Sequence, residues 1–224
     1  MKVEPRCDVL FRGRRFYFGG GEKMLYLIGG SPCSGKSTIA AHLAERYQLI
    51  PIKLDDLVEG FTQAARRDGA PISTLRENRT TDQIWLREPA AMAEEEWSFY
   101  EEIFPYLWQY LVENQDKPMI LEGAGCLPHL IKSLNMDLSY LCLTPTADFQ
   151  KEQYAKREWV PYVLQNSSNP QLAFDNWMNR DILFAKRCRR EAERLSYPHL
   201  LTNGSRRIEE MTEQAADILD LAHY

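Results

Sequence analysis

Residues 24–38 read Met24-Leu25-Tyr26-Leu27-Ile28-Gly29-Gly30-Ser31-Pro32-Cys33-Ser34-Gly35-Lys36-Ser37-Thr38. An apolar run leads into Gly-x-x-x-x-Gly-Lys-Ser, and a helix-forming segment follows. Strand, loop and helix in that order is the context in which such a loop binds phosphate. Gly30 and Gly35 let the backbone approach phosphate oxygens with no Cβ in the way. The loop amides converge, and the helix behind them adds a partial positive charge, so the loop is an anion site. Gly30, Ser31, Pro32, Cys33, Ser34, Gly35, Lys36, Ser37 and Thr38 are therefore the candidate nucleotide cradle. Lys36 can reach β- and γ-phosphates, Ser37 can ligate Mg²⁺, and Thr38 offers a second hydroxyl near the α-phosphate. Pro32 removes one amide, but early in the loop. Cys33 and Ser34 keep theirs, so the cradle survives.

Outward from this stretch, strand-like and helix-like segments alternate. The first strand is expected over 24–29 and a helix over 36–48, with Ile39, Ala40, Leu43 and Tyr47 on one stripe. Residues 50–54 read as a second strand ending in Asp55-Asp56, and a helix is expected over 56–67. A polar stretch with Gly69, Pro71 and Asn78 follows. Residues 89–115 read as one helical region with Trp97, Tyr100, Phe104, Leu107 and Leu111 on its apolar stripe, kinked or split at Pro105. Its Glu94-Glu95-Glu96 run reads as a solvated face. A third strand is expected over 118–121, followed by Glu122-Gly123-Ala124-Gly125 and a short helix opened by Pro128. A fourth strand is expected over 138–143, then a helix over 146–158 that Pro161 ends. A long helix over 171–196, a short strand at 199–201 and an amphipathic helix over 206–222 complete the order. Five short strands alternating with helices imply a parallel sheet covered on both faces. Residues 1–23 read as an appendage, a hairpin of Cys7–Phe11 and Arg15–Phe18, and the core domain as 24–224.

Composition narrows the class. A chain of 224 residues with 44% hydrophobic and 26% charged residues suits one globular domain. A net charge of −5 argues against general nucleic-acid binding, which needs clustered Lys and Arg. No apolar run reaches membrane-spanning length, and no signal peptide is legible at the start. Five scattered cysteines form no Cys-x-x-Cys pair, so a reduced, cytoplasmic setting is expected. The histidines show no metal-ligand spacing.

The residues resemble the P-loop kinase family, the branch that includes nucleotide kinases, antibiotic phosphotransferases and zeta-toxin-like kinases. The likeness runs through residues 24–222. It rests on the P-loop, on Asp55-Asp56 after strand two, on Leu121-Glu122-Gly123 after strand three, and on an Arg-bearing segment after strand four. The P-loop is the specific part. The resemblance implies an α/β three-layer sandwich, a P-loop NTPase fold with sheet order 2-3-1-4-5 and a helical lid. It also implies ATP and Mg²⁺ as cofactors and transfer of the γ-phosphate to a small-molecule acceptor. Asp55 and Asp56 sit where such kinases hold an acceptor hydroxyl or its proton; either could also reach Mg²⁺ through water, or cap the next helix. Glu122 takes the place of the second carboxylate, on Mg²⁺ waters or acceptor groups, or else bonds a neighbouring loop. Arg157 matches the lid arginine, with a lid over about 157–180, and Arg180 lies where that lid returns to the core. Both are candidates to cover charge on the transferred group. Asn203-Gly204-Ser205 lies where these kinases pass the backbone beside adenine.

The acceptor is not legible. Residues 58–115 should form much of its pocket, as an aromatic helical insertion. Arg76, Arg79 and Arg87 could bind an acceptor that already bears phosphate, or be exposed. Asp-x-x-Gly and Asn-Lys-x-Asp are absent, against a GTPase switch, as are the paired motifs of protein kinases. A nucleotide-binding regulatory module with little turnover, and a plain NTPase, stay as rivals. Oligomeric state is open.

Overall fold

The computed structural model describes residues 25–221; the expected N-terminal hairpin and the appendage 1–23 lie outside the described residues. Five strands form one parallel sheet: β1 (Leu25–Gly30), β2 (Ile50–Lys53), β3 (Met119–Glu122), β4 (Ser139–Pro145) and β5 (His199–Thr202). Their spatial order is β2-β3-β1-β4-β5. The sheet carries helices on both faces, which is the P-loop kinase fold the sequence led us to expect.

β1 is central and every one of its residues is buried. Its side chains sort by the period of two that a strand imposes. Leu25 and Leu27 enter one core with Trp97, Phe104, Leu107 and Phe184. Tyr26 and Ile28 enter the other with Ile39, Leu43, Met211 and Ala215. The first core lies under α5 (Pro89–Glu113) and α9 (Pro170–Arg194), the second under α1 (Lys36–Tyr47) and α10 (Ile208–Ile218). Parallel pairing brings Ile28 beside Glu122 and Gly30 beside Leu143. The C-terminal ends of β1, β3 and β4 thus open on one edge of the sheet, where ligands bind in open α/β folds.

Between β2 and α5 the sequence-based expectation needs amendment. Asp55 and Asp56 close a 3₁₀ turn, Leu54–Asp56, and α2 begins only at Val58 (Val58–Arg67). The polar stretch after it holds two short helices, α3 (Pro71–Arg76) and α4 (Thr81–Trp85). Pro71 opens the first, and Thr80 with Gln83 forms a capping box on the second. α5 runs unbroken through Pro105. The proline removes one ladder bond, but Phe104, Leu107, Trp108 and Leu111 are buried around it and hold the element together.

After β4, the expected single helix is two, α7 (Ala147–Ala155) and α8 (Val160–Leu164), with α6 (Pro128–Ser133) preceding β4. Pro161 does not end a helix; it sits in the first turn of α8, where its missing N–H costs nothing. Asn169 caps α9 by accepting from the Leu172 N–H. A third small core joins Tyr154, Val160, Leu164, Trp177 and Met178 to Cys33 of the phosphate loop and Trp85 of α4. Trp85 stacks on Trp177 at 4.5 Å. Ser167 Oγ and the Ser168 N–H both donate to Asp82, at 2.7 and 2.8 Å. Residues 157–169, the first part of the expected lid, are therefore fastened to the segment before α5.

Candidate active site

The phosphate loop is held by its neighbours before any ligand enters. Gly30 has φ +118, and a Cβ there would lie 1.8 Å from the Leu143 carbonyl oxygen. Its lack of side chain serves the approach to β4, whereas the sequence pattern assigned it to phosphate. Gly35 lies in the left-handed region at φ +87 as the N-cap of α1, in open space. Cys33 is also left-handed, at φ +61. The Ser31 N–H donates to Leu143 O at 3.1 Å. Thr202 Oγ1 donates to Ser34 O at 2.8 Å. Ser34 Oγ in turn donates to Ser31 O.

Lys36 is buried, and its Nζ donates to Ser31 O at 2.7 Å and lies 3.4 Å from Ser34 Oγ. The ammonium is folded back over the loop. Ser31 Oγ is buried with no hydrogen-bond partner, a polar group left for a ligand or water to satisfy. Ser37 and Thr38 are exposed at the start of α1.

Glu122, at the end of β3, is 4% exposed. Burial pushes its carboxyl up, while Lys36 and a contact with the Ser37 hydroxyl act against that shift, and Asp55 adds to it. Lys36, Ser37, Glu122 and Asp55 therefore share one electrostatic site. Lys36, Ser37 and Asp55 thus all act on Glu122.

The paired aspartates part company. Asp55 acts on Glu122, Tyr100 and Cys126. Asp56 instead lines a groove at the β2 edge with Lys53, Tyr110 and Lys117. Neither caps α2.

The two arginines also differ. The Arg157 guanidinium stands over the rings of Tyr154 and Trp159, at 4.8 and 5.4 Å, and its charge reaches Cys33. Among the described residues no carboxylate pairs with it. Arg180 is partly buried and fully engaged: it bonds Asp181 at 2.7 Å and Glu96 at 3.1 Å and lies over Trp85 at 5.2 Å. Burial opposes its charge, but Asp181 and Glu96 outweigh that and raise its pKa further. Asp181 accepts from the Tyr154 hydroxyl at 2.8 Å.

The acidic run on α5 is not a solvated face. Glu94 is exposed, but the Glu95 and Glu96 side chains are 10% and 15% exposed. Arg76, Arg79 and Arg87 all bond Glu95, and Arg76 and Arg180 bond Glu96. Tyr100, one turn on, is buried between this cluster and Asp55, and burial with both carboxylates raises its pKa. Tyr100, Glu95, Glu96 and Asp181 were absent from the candidates drawn from sequence. Their signal was the arginine series at 76, 79 and 87 ahead of an acidic helix, which only the fold brings together. Arg189 pairs with Glu193 at the surface. Asn203 Oδ1 accepts from Ser205 N–H at 3.0 Å, closing the turn after β5.

No protein-family model matches this sequence, and no curated protein matches it. Solved structures similar to it include a shikimate kinase from Bacteroides thetaiotaomicron, at 16% identity over 88% of this chain and 98% of that one, TM-score 0.48. A sugar kinase from Janibacter sp. HTCC2649 matches at 17% identity over 90% and 96%, TM-score 0.49. TT1252 from Thermus thermophilus matches at 15% identity over 90% and 98%, TM-score 0.47. Among the described residues no helix is long and apolar enough to cross a membrane.

Proposed function

We propose that this chain is a phosphotransferase that moves the γ-phosphoryl group of ATP, with Mg²⁺, to a small-molecule acceptor. The observation that carries the reading is the meeting of Lys36, Ser37, Glu122 and Asp55 at the C-terminal edge of the sheet. ATP fits the loop on structural grounds: a buried ammonium bonded only within the loop, and an unsatisfied buried Ser31 hydroxyl. Mg²⁺ fits Ser37 and Glu122, a sparse set suited to a cation that keeps waters and phosphate oxygens as ligands. Mg-ATP, when bound, supplies a phosphoryl group whose charge is already partly neutralised.

The chain's own residues do the rest. Lys36 exchanges Ser31 O for phosphate oxygens and carries its charge with it. Burial raises the Glu122 carboxyl, and a cation beside it would act against that shift and favour the carboxylate. Asp55 accepts the proton of the acceptor group as its oxygen forms the new bond to phosphorus and ADP departs. Arg157, with no carboxylate partner among the described residues, covers charge on the transferred oxygens and helps exclude water.

The test is ADP release from Mg-ATP by the purified protein, with and without a small-metabolite extract, using Lys36→Ala as control. Stimulation by the extract, lost in the folded variant, is the expected result. Bound ATP without any stimulation would assign the chain to a regulatory module; equal release without extract would make it a plain NTPase.

A further inference from the structure

The arginine cluster beside α5 has more cation than its own carboxylates absorb. Arg76, Arg79, Arg87 and Arg180 face Glu95, Glu96 and Asp181, and the four arginines with Glu95 border a cavity of about 240 Å³ whose wall includes Trp85. Glu95 Oε1 alone accepts from Arg76, Arg79 and Arg87. Arg79 is bonded through Nη1 only; the other donors of its fork have no partner among the described residues. Its side chain is 14% exposed and lines the cavity. Planar forks of this kind match the oxygens of a carboxylate or a phosphate.

The cavity is also placed for the reaction. Tyr100 links Asp55 on one side to Glu96, Arg76 and Arg180 on the other. Trp85, in the cavity wall, stacks on Trp177, which belongs to the same small core as Cys33 of the phosphate loop. We infer that the acceptor carries an anionic group of its own, a phosphate or a carboxylate, which Arg79 and Arg87 bind while its reactive end lies at Asp55. This rests on the kinase reading for the reactive end; the anion site itself does not.

The test reads binding, not turnover. The full chain is first saturated with Mg-AMPPNP, which fills the phosphate loop. Inorganic phosphate, succinate and neutral glucose are then titrated, followed by calorimetry and by tryptophan fluorescence, to which Trp85 reports. Phosphate or succinate should saturate and glucose should not. The stronger of the two anions identifies the source, phosphate or carboxylate. Arg79→Gln with Arg87→Gln should weaken that anion by about tenfold or more, the loss of charge-assisted bonds, with AMPPNP affinity kept. Arg79→Lys, a milder change should the double variant fail to fold, should weaken it less, since the charge stays and the fork goes. Absence of saturation by either anion, or affinity unchanged in the variants, overturns the inference. Anion binding without acceptor-dependent ADP release would refute the kinase reading and leave the site; acceptor-dependent release without anion binding would refute the site alone.

Discussion

Thr202 Oγ1 donates to the Ser34 carbonyl at 2.8 Å, across 168 residues of sequence. The end of β5 thereby fixes the phosphate loop. Thr202→Val keeps the shape and leaves a buried carbonyl unpaired. We expect a loss of about 1–3 kcal/mol of stability and weaker Mg-ATP binding, read by urea unfolding and calorimetry. Thr202→Ser should restore most of both; equal loss in the two variants would dissociate the hydroxyl from the effect.

Asp55 and Asp56 offer the sharpest separation of adjacent residues. Asp55→Asn should lower acceptor-dependent kcat by about 10²–10⁴, the usual scale for a lost general base. Asp56→Asn should stay near the parent protein, because its carboxylate lies at the β2 edge groove. Nucleotide affinity should hold in both. Comparable kcat losses in the two would contradict the geometry.

Two glycines of one motif should respond differently to alanine. At Gly30 the new Cβ meets Leu143 O at 1.8 Å, a backbone clash with no flexible neighbour to yield, so Gly30→Ala should prevent stable folding. At Gly35 no atom lies nearer than 3.9 Å, and the cost is the left-handed φ of +87 alone, about 1–2 kcal/mol. Circular dichroism melts of the two variants check the contrast.

Glu95 sets a pH signature. Burial opposes its charge, yet Arg87, Arg79 and Arg76 overcome that and hold it at about 2, against an ordinary 4.5. A depressed carboxyl stabilises the fold above its unfolded pKa, and that contribution is lost as pH falls through 4.5 toward about 2. The stability gap between the parent protein and Glu95→Gln should therefore be widest above pH 4.5 and narrow steadily as pH falls toward 2. Urea unfolding at successive pH values reads it, and a gap that does not change with pH would mean that Glu95 is not held ionised by those arginines.

The sheet order and the loop–Ser37–Glu122 meeting were legible because the Gly-Lys-Ser stretch sits between an apolar strand and a helix, and that context constrains what surrounds it. Asp55 and Asp56 could not be told apart, because the 3₁₀ turn that separates them leaves no periodic trace in three residues. The burial of Glu95 and Glu96 was invisible for a related reason. Apart from Arg180 on α9, their partners lie on or beside α3 and α4, helices of 6 and 5 residues, too short to show a face. Pro161 misled because the same residue ends one helix and opens another equally well. Arg180 looked like a lid residue from its position, but only the fold reveals that Asp181 and Glu96 already occupy it.

Every strand pairing in the sheet involves β3 or β4: β1 with β3 and β4, β2 with β3, β4 with β5. Among the described residues, no strand before Met119 pairs with another strand before Met119. On the ribosome, therefore, the Gly-Lys-Ser loop is made well before β3 and stays unformed until β3 arrives. Its strand, as apolar as any in the protein, has no neighbour until β3 arrives, and it is exposed to mispairing in the meantime. A nascent chain arrested at Lys117 would hold the whole Gly-Lys-Ser motif and no sheet to display it. Such non-local closure is intrinsically slow, so the Gly-Lys-Ser loop is made well before the strands that complete it.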